Sequence, residues 1–176
     1  SCLINNAAFV GTTDLPGWNA PISEQSSEVW GQVFEVNLVS IFHLCQALVP
    51  LLEEGEGANV INVASIYGEL GPDWSIYDQT EMSNPAGYAA SKGGVIQLTR
   101  WLATSYAPRI RVNAISPGGI FRHQPKAFVQ QYANRTPLCR MATESDFKGA
   151  FAFLASDASE YMTGQVLTID GGWSAW

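Results

Sequence analysis

Between Trp30 and Leu52 apolar residues return at every third or fourth position, through Val33, Phe34, Leu38, Ile41, Leu44, Cys45 and Leu48, which is the period of a helix with one face in a core. Val36, Val39 and Phe42 add a second apolar flank to the same segment. Two flanks predict two covers: a sheet on one side and, on the other, the same helix of a second subunit. Ser23 or Ser26 can cap the start, and the helix is expected to reach roughly Leu52.

Shorter apolar runs read as strands. Cys2-Leu3-Ile4, ending in Asn5-Asn6-Ala7-Ala8, has the form of the last residues of a buried strand and its following loop, so the chain is expected to open in mid-fold. A Gly/Pro/Asn-rich loop follows to about Ile22. Asn59 to Ala64 reads as a strand buried on both faces and ending at Ser65. After a loop of about 20 residues comes a second long helix, roughly Ala86 to Ala107. Then follow a strand Ile110 to Ile115 running into Ser116-Pro117-Gly118-Gly119, helices near Pro125 to Asn134 and Glu144 to Ser156, and a strand Val166 to Ile169.

Strands alternating with long helices predict an α/β fold, a Rossmann-like parallel sheet with helices on both faces. Ligands of such sheets gather at the carboxyl ends of the strands, where Asn5, Ser65 and Pro117 fall. No repeat, low-complexity segment or linker divides residues 1–176, so one domain is expected.

Composition narrows the partners. A formal charge of -7 argues against nucleic acid, whose phosphates select basic faces. Three scattered cysteines and two histidines predict neither a disulfide framework nor a metal site, and fit a reducing cytoplasm. Asn37, Ser40, His43, Gln46 and Pro50 interrupt the most apolar stretch, Val36 to Leu52, so it is expected to be a buried helix rather than a membrane span. No signal peptide is visible at the N-terminus.

The densest chemistry lies in Tyr88-Ala89-Ala90-Ser91-Lys92. A spacing of four places the phenol and the ammonium on one helix face, where the positive charge is expected to favour the phenolate and bring tyrosine toward neutral-pH acid/base work. Alone, such a pair is more often a surface contact.

Taken in order, Asn5-Asn6-Ala7-Ala8, Asn37 in Glu35-Val36-Asn37, Asn62-Val63-Ala64-Ser65, the Tyr88/Lys92 pair, Asn113-Ala114-Ile115-Ser116-Pro117-Gly118 and Thr163-Gly164-Gln165 leading to Asp170-Gly171-Gly172 resemble the short-chain dehydrogenase/reductase family. The resemblance implies NAD or NADP as cofactor and a small-molecule alcohol or ketone as substrate, in a homodimer or homotetramer. It implies catalytic roles for Asn37, Ser65, Tyr88 and Lys92: Tyr88 exchanges a proton with the substrate oxygen, Ser65 hydrogen-bonds that oxygen, and Lys92 lowers the Tyr88 pKa and holds the ribose, its proton path running through a water near Asn37. Cofactor contacts are implied at Asn5, Ala7, Tyr88, Lys92, Pro117, Gly118 and Ile120.

Three departures stand out. No glycine-rich turn for a cofactor pyrophosphate precedes Asn5, so the chain is expected to be the C-terminal two-thirds of such an enzyme, truncated at its N-terminus, with roughly 70 to 80 residues of βαβ units missing. The segment between Ser65 and Tyr88 is about ten residues longer than the resemblance implies. Its Asp73, Trp74, Tyr77, Asp78, Glu81 and Met82 suit a sugar or other polyhydroxylated ligand, or a simple cover for the subunit edge. Arg122 replaces a usual threonine, and with His123 it is a candidate for binding a carboxylate or phosphate. Two other readings are an epimerase or dehydratase of nucleotide-activated sugars and a non-catalytic fragment that associates through its long helices.

Overall fold

The computed structural model describes residues 1–9 and 15–176. Of the loop expected between Ala8 and Ile22, residues 10–14 lie outside the described residues. Four strands, β1 (Cys2–Asn5), β2 (Asn59–Val63), β3 (Arg111–Pro117) and β4 (Val166–Ile169), form one parallel sheet in the order β1-β2-β3-β4. The buried run Val60-Ile61-Asn62 in β2 pairs Val112-Asn113-Ala114 in β3, the near-continuous burial expected of central parallel strands. At one edge of the sheet, β1 leaves Ile4 46% exposed.

The first long helix runs over Ser27–Glu53, as α1 (Ser27–Phe34), a π turn (Glu35–Val39) and α2 (Ser40–Glu53). Ser26 is its N-cap, its hydroxyl accepting from the Val29 N–H. The sequence reading placed this helix short of a membrane span; by length and mean hydropathy alone it qualifies as one. Ile41, Cys45, Val49 and Leu52 pack into the main core instead, against α3 (Ala86–Tyr106) and the sheet. Val36 and Phe42 on the other flank are exposed, as is Leu51, and so is Leu44, which the spacing places on the core face.

On the opposite face of the sheet, α5 (Ser145–Ala155) seats Phe147 and Leu154 against Ile61 and Ile115. A separate cluster sits beyond the strand ends. There α4 (Lys126–Arg135) contributes Phe128 and Tyr132, which join Ile66, Ile76, Met141 and Trp173.

The long Ser65–Tyr88 segment is built, not slack. Short 3₁₀ turns at Ile66–Gly68 and Trp74–Tyr77 shape it. It is tied to α4 by the Tyr77–Phe128 ring contact at 5.5 Å, by Gln131 donating to the Asp78 carbonyl at 3.0 Å, and by Arg135 paired with Asp73 at 3.3 Å.

Candidate active site

Ser65 lies just past the carboxyl end of β2, because strand pairing continues through the Ala64 N–H to the Ile115 carbonyl before the chain turns. Its hydroxyl accepts from the Tyr67 N–H at 3.2 Å, opening the 3₁₀ turn. That turn is pressed against α3: a Cβ on Gly68 would stand 2.7 Å from the backbone carbon of Lys92. Only glycine permits this approach, and it brings Ser65 beside the first turns of α3, with its hydroxyl near enough to the Tyr88 phenol to act on its pKa.

Burial pushes the Tyr88 phenol up in pKa, and the Ser65 hydroxyl pulls against that rise. Lys92 is 2% exposed, and its ammonium donates to the Val63 carbonyl at 2.7 Å, 5.8 Å from the Tyr88 ring centroid. Desolvation lowers its pKa to about 8. This corrects the expectation that the Lys92 charge would lower the Tyr88 pKa toward neutrality: the phenol is instead raised. Burial dominates both groups and moves them in opposite directions, because it disfavours the charged form of each.

Asn37 is fully buried within the π turn. Its carbonyl oxygen accepts from the Phe9 N–H at 2.6 Å, while its amide nitrogen donates to Ser91 Oγ at 3.0 Å and to the Phe9 carbonyl at 3.3 Å. The side chain thus staples the loop after β1 to α3, and a wide π turn at that point is a frequent mark of a functional site.

Asn5 closes β1 with Nδ2 donating to Asn62 Oδ1 at 2.8 Å, and Asn62 donates onward to Thr99 Oγ1 at 2.9 Å. The Asn5 Oδ1 atom is buried without a partner, as is Ser116 Oγ at the end of β3. These two unpartnered oxygens, at the ends of the strands on either side of β2, would fit the hydroxyl and amide groups of a nicotinamide riboside. Ala7 is exposed in the adjoining loop. Beyond Pro117, the Gly118 N–H is committed to the Ile169 carbonyl and the Gly119 N–H to the Tyr132 hydroxyl, while the Ile120 side chain packs beside Ile115 and Phe147.

The three substrate candidates do not converge. Trp74, 57% exposed, edges a pocket of about 620 Å³ between the 19–25 loop, the 72–84 segment and the start of α3. Arg122 points elsewhere, its guanidinium 2.7 Å from Glu144 and donating to the Phe121 carbonyl, so its charge is already answered in solvent. His123 is exposed with its ring 5.3 Å from Phe121. Sequence reasoning missed three members of the neighbourhood: Asn84 on the pocket wall, and Tyr67 and Tyr132, whose phenols are pushed up in pKa chiefly by burial. Tyr67 and Tyr77 meet hydroxyl to hydroxyl at 2.9 Å, with burial pushing Tyr77 up to about 12.

A doubly covered parallel sheet with Ser65, Tyr88 and Lys92 gathered past its strand ends defines the dinucleotide-type α/β class. Residues 1–174 match the family model described as enoyl-(acyl carrier protein) reductase. A 3-oxoacyl-(acyl-carrier-protein) reductase of Thermotoga maritima is 37% identical over 175 residues, covering 97% of this chain and 64% of that protein. The crystal structure of a short-chain dehydrogenase from Leptospira borgpetersenii with bound NAD+ superposes with a TM-score of 0.86 at 41% identity, over 98% of this chain and 64% of that one. A gluconate 5-dehydrogenase from Burkholderia cenocepacia, in complex with NADP and tartrate, gives 0.84 at 28% identity, over 99% of this chain and 65% of that one. The chain belongs to the short-chain dehydrogenase/reductase family. It spans about 64% of the length of that Thermotoga reductase.

Proposed function

We propose that the protein is an NAD(P)-dependent oxidoreductase that interconverts a secondary alcohol and a ketone on a small polar substrate, with a sugar or sugar derivative favoured. The observation that carries this reading is the convergence of the Ser65 hydroxyl, the Tyr88 phenol and the buried Lys92 ammonium at one end of the sheet. The dinucleotide, when bound, supplies or accepts the hydride.

In the reducing direction Tyr88 donates its proton to the substrate carbonyl oxygen, and in the oxidising direction it takes one from the hydroxyl. A phenol raised in pKa by burial is protonated at neutral pH, which suits it to the first of these tasks. Ser65 donates to the same oxygen and fixes it against Tyr88. Lys92 holds the ribose hydroxyls and passes protons toward water near Asn37. Asn5 Oδ1 and the backbone of Ala7, Pro117, Gly118 and Ile120 would form this chain's share of the nicotinamide end, with the Gly118 N–H already engaged by the Ile169 carbonyl and the Ile120 carbonyl by Gln124.

Assembly as a homodimer or homotetramer through the exposed flank of the two long helices is part of the same reading. Phe42 and Trp101 are 44% and 58% exposed along a groove that also includes Leu38 and Leu98. The test of function is NADH or NADPH consumption by the natural full-length protein against a panel of ketoses, ketoacids and acyl ketones. Turnover of at least one ketone class, lost in Tyr88→Phe, is expected; no turnover of any class with either cofactor contradicts it.

A further inference from the structure

Among the amides that line the pocket beside Trp74, one stands out. Asn19 donates to the Glu81 carbonyl at 2.6 Å. Gln25 donates to the Ala20 carbonyl and accepts from the Trp30 indole and the Ala86 N–H. Asn84 is 6% exposed, yet neither its nitrogen nor its oxygen has a hydrogen-bond partner. It lies close enough to Tyr77 to draw that phenol's pKa down slightly, but not at bonding geometry. A buried amide with both ends open is costly to keep unless something is meant to bind it.

The rest of the pocket says what that something is. Its volume of about 620 Å³ suits a small ring rather than a long chain. Trp74 presents an indole face at one side, with Ile22 and Met82 supplying apolar walls. Among the described residues Glu81 is the one charged residue of the lining, and it is negative; no described lysine, arginine or histidine lines the pocket. An aldonate or sugar phosphate would find no counter-ion there and would face a carboxylate. A neutral polyhydroxylated ring offers an apolar face to the indole and adjacent donor and acceptor hydroxyls to one amide.

We propose that this pocket binds an uncharged hydroxylated ring, with the Asn84 amide as its hydrogen-bonding reader and Trp74 as its stacking face. Ala86 and Ala89 of the same wall are neighbours of Tyr88 in sequence, but neither Tyr88 nor Ser65 lines the pocket. A role for the bound ring as substrate rests on the dehydrogenase reading; the binding itself, and its test, do not.

Binding is measured on the natural full-length protein, without turnover, by saturation-transfer NMR and tryptophan fluorescence. The probes are methyl β-D-glucopyranoside and methyl β-D-galactopyranoside, with D-gluconate as the anionic counterpart. At least one pyranoside is expected to bind at least about tenfold more tightly than gluconate, and Asn84→Ala and Trp74→Ala should each weaken it about tenfold or more. Asn84→Ala removes an unpaired polar group, so its melting temperature should hold or rise, which separates lost binding from lost folding. Tighter binding of gluconate, no millimolar binding of either pyranoside, or full affinity in Asn84→Ala would each overturn the proposal. Because no cofactor chemistry enters the measurement, those results leave the dehydrogenase reading untouched, and a protein inert toward NADH and NADPH leaves this result readable.

Discussion

Lys92 donates to the Val63 carbonyl at 2.7 Å while its ammonium stays 5.8 Å from the centroid of the Tyr88 ring. The lysine is thus anchored to the end of β2 rather than bonded to its helical neighbour. Being almost fully buried, it has a folded pKa of about 8 against an ordinary 10.5.

That value has a consequence for stability. Between pH 8 and 10.5 the unfolded chain holds a proton on Lys92 that the fold does not, so this group makes stability rise with pH across that window. Below pH 8 the cost of burying the charge is present in full, on the order of 3 kcal/mol. Lys92→Met should therefore melt higher than the parent at pH 7, with the difference shrinking toward pH 10. Above that, the buried phenols raised by burial, Tyr77 among them, reverse the slope in both proteins. Thermal melts across pH 7 to 10 check it, and an equal or lower melting temperature for the variant at pH 7 would contradict it.

Gly68→Ala should cost about 2 kcal/mol, because its Cβ would meet the Lys92 backbone, which belongs to a packed helix and cannot swing aside. Relaxing that contact moves the Ser65 turn away from α3. Activity should fall further than the loss of folded protein explains, as read by comparing turnover with circular dichroism.

Asn37→Ala strips the Phe9 N–H of its acceptor and Ser91 Oγ of its donor inside the protein. A loss of about 2 to 3 kcal/mol is expected in chemical denaturation. A change below about 0.5 kcal/mol would mean that the staple between the β1 loop and α3 carries no weight.

Arg135 ties three parts of the chain together: its guanidinium pairs with Asp73, donates to the Trp173 and Trp176 carbonyls and lies 5.0 Å from the Trp173 ring. Arg135→Ala should cost about 1 to 2 kcal/mol and speed hydrogen exchange in residues 73–78 and 173–176 together. Faster exchange in the C-terminal turn alone would show that the Asp73 contact is incidental.

Periodicity made the strand and helix order legible, since burial on one or both faces is what spacing encodes. Helix and strand ends shifted by a residue or two, as with Ala64, whose N–H pairs although β2 ends at Val63. Ser65, Tyr88 and Lys92 were legible by type and order. The electrostatics were not, because desolvation depends on what the rest of the chain packs over a group. Asn113 and Thr163, part of the family resemblance, bond the loop before β4 to β3 rather than line the site: Asn113 reaches Met162 and Gln165, and Thr163 accepts from the Val112 N–H. Arg122 looked like an anion ligand in sequence because its partner Glu144 is distant in the chain. Asn84 went unread because an unpaired amide is visible only once all its neighbours are in place.

The most direct test of the account is Tyr88→Phe in the natural full-length protein, with turnover and NADH or NADPH affinity measured side by side. Turnover should fall by about 10² to 10⁴, with cofactor affinity changed by less than about threefold, since the substitution removes one hydroxyl and keeps the ring. Turnover within about twofold of the parent would contradict Tyr88 as the acid/base group and, with it, the proposed mechanism.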